Sequence, residues 1–147
     1  PCAVIDSWIH APREFKPEWN VATQWRSGAL KNQSRPEDFY GFDKWKEVAQ
    51  LFLDLAEEHP GQMLLVRYAD LNSDAIGITK DIFEKCGLPF GPATGEFIHA
   101  SQSKDVDDTY SVYRKTRPDN GWKNRLAPEI TREILQDLVG SPLEYFL

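Results

Sequence analysis

The chain has 147 residues, one domain's worth and enough for a real core. Its 23 acidic residues outnumber 17 basic ones, for a formal charge of −6. That balance excludes the broad basic face that nucleic acids and anionic membranes require, while leaving room for a small cationic pocket. No apolar run reaches membrane-spanning length, and no signal-peptide pattern opens the sequence. Cys2 and Cys86 lack metal-ligand spacing, which predicts small buried hydrophobes in a reducing, cytoplasmic compartment and no metal site.

The sequence starts Pro-Cys-Ala, without an initiator Met, and enters a helical pattern at once, which reads as a piece of a longer protein. Pro1 to Ile9 predicts the first turns of a helix with Pro at its first position and an apolar stripe of Val4, Ile5, Trp8 and Ile9. Ser7 lies beside that stripe, one turn from Ala3. A hydroxyl near a helix start is suited to part of a phosphate site.

Pro12 to Phe42 is rich in Pro, Gly, Asn and charge yet carries Phe15, Trp19, Trp25, Phe39 and Tyr40. It reads equally as a substrate-facing excursion and as a packed loop with a short helix within Val21 to Asn32, Trp25 and Ala29 sharing a face. Asp43 to His59 predicts an amphipathic helix capped by Asp43, with Trp45, Val48, Ala49, Phe52, Leu55 and Ala56 inward and Pro60-Gly61 as its stop.

The run Met63-Leu-Leu-Val-Arg-Tyr-Ala-Asp-Leu71 is apolar without alternation up to Arg67 and Tyr68, the pattern of a strand buried on both faces of a parallel sheet. Ligands of open α/β sheets bind beyond the carboxyl ends of such strands, which singles out Arg67 and Tyr68. Ser73 or Asn72 would cap a following helix to Cys86, with Ile78, Ile82 and Phe83 inward and Gly87 and Pro89 ending it. Leu88 to Asp108 reads as loop, with His99 an exposed loop histidine. Arg114, Lys115, Arg117, Lys123 and Arg125, five cations within twelve residues and interleaved with Tyr110, Tyr113 and Trp122, have the composition of an anion clamp or of a solvated charge run. Pro128 to Val139 predicts a last helix with Ile130, Ile134, Leu135 and Leu138 inward and Gly140 as terminator.

Three segments, in this order, carry a resemblance. Pro1-Cys-Ala-Val-Ile-Asp-Ser7-Trp resembles the tail of the Arg-(Asn/Asp)-Pro-x5-Ser motif of the cytosolic and bacterial type of PAPS-dependent sulfotransferases. Val66-Arg-Tyr-Ala-Asp-Leu71 resembles their Val-Arg-Tyr-Glu-Asp-Leu strand end. Ser111 to Leu126 resembles their Arg-Lys-Gly…Gly-Asp-Trp-Lys-Asn motif.

The resemblance implies the C-terminal part of a single P-loop-like α/β domain, a parallel sheet flanked by helices and mostly helical in this piece. It implies transfer of a sulfuryl group from 3′-phosphoadenosine 5′-phosphosulfate (PAPS) to a hydroxyl or amine of a small-molecule or glycan acceptor, leaving PAP. By position, Ser7 would hydrogen-bond the 3′-phosphate, Tyr68 would contact the adenine, Arg114 and Lys115 would clamp the 3′-phosphate, and Trp122 would pack near the base. The family's phosphosulfate lysine and general-base histidine would precede Pro1, so no catalytic residue is expected in this chain. The sequence departs from the motifs at Ala69 (usually Glu), at Thr116 (usually Gly) and at Ala127-Pro128, where a dimer motif would read Thr-Val. Two rival readings are another phosphate-binding P-loop protein and a non-catalytic module binding a protein through Trp19 and Trp25.

Overall fold

A computed structural model describes residues 1–35, 37–106, 111, 113 and 120–147. The described residues are helical or irregular and contain no strand. The chain divides into two compact units, residues 1–63 with 120–147, and residues 64–119.

The first unit holds α1 (Cys2–Ile9), α2 (Val21–Gln24), α3 (Phe42–Glu58), a 3-10 turn (Gly121–Asn124), α7 (Pro128–Leu138) and a C-terminal 3-10 helix (Pro142–Phe146). Cys2 and Ile5 of α1, Trp25, Phe42 and Ala49 of α3, Leu126, and Ile130, Ile134 and Leu138 of α7 close one core, with Leu143 beneath. The apolar residues of α7 recur every four positions, so one face meets the core and the charged remainder meets solvent. Leu135, expected inward, is exposed.

Of the stripes expected inward, that of α1 holds at Ile5, Trp8 and Ile9 and fails at Val4, and that of α3 is rotated in part. On α1, Cys2 and Ile5 are buried and Val4 is exposed. On α3, Phe42, Trp45, Ala49 and Leu53 face the core, while Val48 and Phe52 are exposed. Gly41, not Asp43, occupies the N-cap of α3. Asp43 instead takes an ion pair from Arg26 at 3.5 Å. Pro1 is the N-cap of α1 and not its first turn.

The described residues between Pro12 and Gly41 form a loop that carries α2. Gly28 (φ 60°) and Gly41 (φ 93°) let two chain segments touch: a Cβ on Gly28 would stand 2.5 Å from the Tyr40 carbonyl oxygen, and one on Gly41 2.7 Å from that of Arg26. The close approach allows Phe42 N–H to donate to Trp25 O at 3.1 Å and Asp43 N–H to Arg26 O at 2.9 Å. Asn32 adds bonds to both backbone groups of Tyr40. The Arg26 guanidinium stacks over Trp25 and Phe42 and pairs with Asp137 of α7 at 2.8 Å, which Lys46 of α3 also reaches. Loop, α3 and α7 thus share one charge network above the core. Hydrogen bonds from Arg26 hold the Asp137 carboxyl below its ordinary pKa.

The second unit holds α4 (Tyr68–Ser73), α5 (Ala75–Lys85) and α6 (Pro92–Ser103). Asp74, rather than Ser73 or Asn72, caps α5 by accepting from Gly77 N–H at 2.9 Å. The helix ends as expected: Gly87 (φ 67°) donates to Glu84 O and Leu88 N–H to Phe83 O, the paired bonds of a left-handed glycine cap.

Two expectations fail here. The segment from Leu88 is not all loop, because Pro92 opens the twelve-residue helix α6 and Ile98 is buried on it. His99 is exposed, but on that helix. Nor is Met63 to Val66 a strand between helices: the parallel sheet implied by the run and by the resemblance is absent among the described residues. Leu64 is 44 % and Val66 36 % exposed. A buried strand exists only within a sheet, and no strand occurs among the described residues to receive this segment. It is an extended lead-in, with Arg67 still at φ −76°, ψ 137°, to α4.

Candidate functional site

The first unit brings the first resembling segment, on α1, together with residues 120–126, the end of the third. Helix α1 packs on the 3-10 turn Gly121–Asn124. Asp6, next to Ser7, is buried, 1 % exposed. Arg125, next to the turn, spans the gap: its Nε lies 3.1 and 3.3 Å from the two carboxylate oxygens, and its Nη2 donates to Asp6 Oδ2. His10 Nδ1 lies 2.8 Å from the Asp6 carbonyl oxygen and 3.2 Å from Asp6 Oδ1. A desolvated carboxylate is tolerated only when paired and hydrogen-bonded, and this one is ringed by donors from both sides. Its hydrogen bonds raise the Arg125 pKa further, so the guanidinium stays charged at any working pH.

Ser7 is exposed on α1, its hydroxyl on the solvent side. Cys2, Ile5, Asp6 and Trp8 share the buried side of the helix, which leaves Ser7 outward. Trp8 packs edge-on against Phe15, with centroids 5.2 Å apart, and its indole N–H is buried without a partner among the described residues.

Trp122 is half-buried in the 3-10 turn and packs against the core from outside. With Lys123, Leu126, Arg132, Leu135 and Gln136 it lines an open groove of about 480 Å³ beside α7. The groove explains why Leu135 is exposed. Ser7 is not among its lining residues. Lys123 and Arg132 supply cations there, and no acidic side chain lines it.

Tyr68 belongs to the second unit. It begins α4 and is 66 % exposed. Arg67 beside it forks onto Asp70 with Nε and Nη2 at 2.8 and 2.9 Å, holding that carboxyl below its ordinary pKa. Arg114 and Lys115 lie outside the described residues. Of the expected set, the structure therefore joins the segments of Ser7 and Trp122 within one unit.

Sequence reasoning missed Asp6, and it grouped Arg125 with the cations of an anion clamp, whereas the Arg125 guanidinium is committed to Asp6. Their pairing links positions 119 residues apart, which no local pattern reveals. The available signal was an acid in the middle of an apolar helical stripe, a residue that burial obliges to find a cation.

Most rings of the aromatic loop pack internally, while Phe39 is 58 % exposed. Trp25 and Phe15 are buried, Trp19 is half-buried against Phe15 at 5.4 Å, and the Tyr40 hydroxyl donates to Glu14 at 2.7 Å. A protein partner gripped through Trp25 finds no free ring. Among the described residues no cluster of His, Cys, Asp and Glu could hold a metal ion, and no helix is long and apolar enough to cross a membrane. No protein-family model, curated protein or solved structure matches the chain.

Proposed function

We propose that the chain supplies the 3′-phosphate and adenine contacts of a PAPS-binding sulfotransferase, which moves the sulfuryl group to a hydroxyl or amine of a small-molecule or glycan acceptor in the cytoplasm. The observation that carries the reading is the meeting of α1 and the 3-10 turn through Asp6 and Arg125, since each segment resembles a nucleotide-binding motif of that family on independent residues.

In this reading the Ser7 hydroxyl donates to the 3′-phosphate, and Arg114 and Lys115 neutralise it, Arg with a planar fork and Lys as a point charge. Trp122 packs near the base and Tyr68 contacts the adenine, each offering a ring face suited to a purine. A 3′-phosphate distinguishes PAP and PAPS from AMP and ATP, so these contacts are selectivity contacts. The general base and the cations that stabilise charge on the bridging oxygen belong to other residues than these.

Titration of PAP into wild type, Arg114→Ala and Ser7→Ala tests the reading. Arg114→Ala is expected to weaken PAP by about 1.5–3 kcal/mol, the range for a hydrogen bond to a charged group, and Ser7→Ala by about 0.5–1.5 kcal/mol. AMP affinity should stay the same in both. Equal PAP affinity in wild type and Arg114→Ala removes that residue from the site.

A further inference from the structure

Among the described residues, many ion pairs join neighbours on one helix or exposed groups on adjacent elements, where solvent screens them. Asp6 and Arg125 combine three features that no other pair among the described residues shows together. The carboxylate is 2 % exposed at its side chain, the guanidinium presents a fork rather than a single donor, and the partners come from opposite ends of the chain. The two residues flank the pair of side chains proposed for the nucleotide: Asp6 precedes Ser7, and Arg125 follows the turn that holds Trp122.

We infer that Asp6 and Arg125 form a positioning clamp that fixes α1 and the 3-10 turn in one register, and so sets the placement of the Ser7 hydroxyl against the Trp122 indole. Its link to the nucleotide rests on the function proposed above; the clamp itself does not. The fork matters because a planar guanidinium held on both carboxylate oxygens fixes direction as well as distance. The backbone of the turn contributes little rigidity of its own. Four residues of 3-10 helix carry few hydrogen bonds, here Lys123 N–H to Asn120 O and Arg125 and Leu126 N–H to Trp122 O. His10 completes the clamp by sharing its Nδ1–H between the Asp6 carbonyl and Oδ1, which holds the end of α1 to the same carboxylate. Neither Asp6 nor Arg125 touches the nucleotide in this account; they act through the residues beside them.

Amide hydrogen exchange and PAP titration on wild type, Arg125→Gln and Arg125→Lys test the inference. Arg125 is 57 % exposed at its side chain, so its substitutions leave the core of α3 and α7 intact. For Arg125→Gln, exchange is expected to quicken by about tenfold at α1 and at 120–126, with α3 and α7 unchanged. PAP affinity is expected to fall by about tenfold, the loss of one aligned charge-assisted hydrogen bond. Arg125→Lys keeps the charge without the fork and is expected to restore the exchange rates of α1 in part and PAP affinity less. Unchanged exchange at both segments overturns the clamp, and so does a uniform rise throughout the first unit, the mark of a merely structural pair. Localised exchange with unaltered, PAP-selective binding overturns the link to the nucleotide. Localised exchange in a protein whose wild type does not distinguish PAP from AMP keeps the clamp and overturns the proposed function instead.

Discussion

At the scale of single residues, geometry decides which substitutions the chain can bear. Gly28 is constrained twice, by a left-handed φ and by a backbone oxygen standing where a Cβ would go. A flexible side chain could move aside, but the Tyr40 carbonyl belongs to the segment whose bonds lead into α3. Gly28→Ala is therefore expected to destabilise the protein by about 2 kcal/mol or more, combining left-handed strain with a backbone shift. Denaturant unfolding reads this directly, and a loss below about 0.5 kcal/mol would show that the loop opens freely at that point. Phe42 is fully buried among Trp25, Trp45 and the Arg26 guanidinium, so Phe42→Ala is expected to cost about 3–5 kcal/mol. Asp6 is the contrasting residue. Its burial costs stability unless Arg125 answers it, which is why it reads as a device for placement and not as a source of folding energy.

At the scale of elements, what could be read from sequence was whatever is decided locally. The ends of α5 and the face of α7 follow from neighbouring residues: the Gly87 cap closes on Glu84 and Phe83, and Ile130, Ile134 and Leu138 align by helical periodicity alone. Helix α6 escaped notice because Gly91-Pro92 reads equally as a turn and as a helix start, and its polar end, Ser101 to Ser103, hides the single buried position at Ile98. The Met63 to Val66 run was misread for the opposite reason. Its composition specifies a strand only where other strands receive it, and pairing is a property of distant segments. The packing of α1 on the 3-10 turn has no local signature, since the Asp6–Arg125 contact that joins them is remote in sequence.

The charge network between the loop, α3 and α7 carries a pH prediction. Hydrogen bonds from Arg26, with Lys46 assisting, depress the Asp137 pKa in the folded chain. A carboxylate depressed on folding contributes stability that is complete above its unfolded pKa of about 3.9 and is lost as pH falls toward the folded value. Asp137→Asn is accordingly expected to lower stability near neutral pH by about 0.5–1 kcal/mol, the scale of a solvent-screened pair, and to match wild type at the acid end. Thermal melts from pH 7 to pH 2 should show the two curves converging as pH falls. Parallel curves would mean that Asp137 gains nothing from the network.

At the scale of the whole molecule, an acidic chain must concentrate its cations to hold an anion. Several are committed to internal pairs: Arg26 and Lys46 to Asp137, Lys31 to Glu14, Arg67 to Asp70 and Arg125 to Asp6. The sequence concentrates its cations from Arg114 to Arg125, and a net charge of −6 around that run means that only a ligand with specific contacts overcomes the general repulsion of anions. Discrimination by the 3′-phosphate, not affinity for nucleotides at large, is thus the property on which the functional account stands. The most direct test is a calorimetric titration of the protein with PAP, AMP and ATP under one set of conditions. The account predicts PAP binding tighter than AMP by about tenfold or more, the worth of at least one charge-assisted contact to the extra phosphate, with ATP no better than AMP. Equal affinities for PAP and AMP would contradict it.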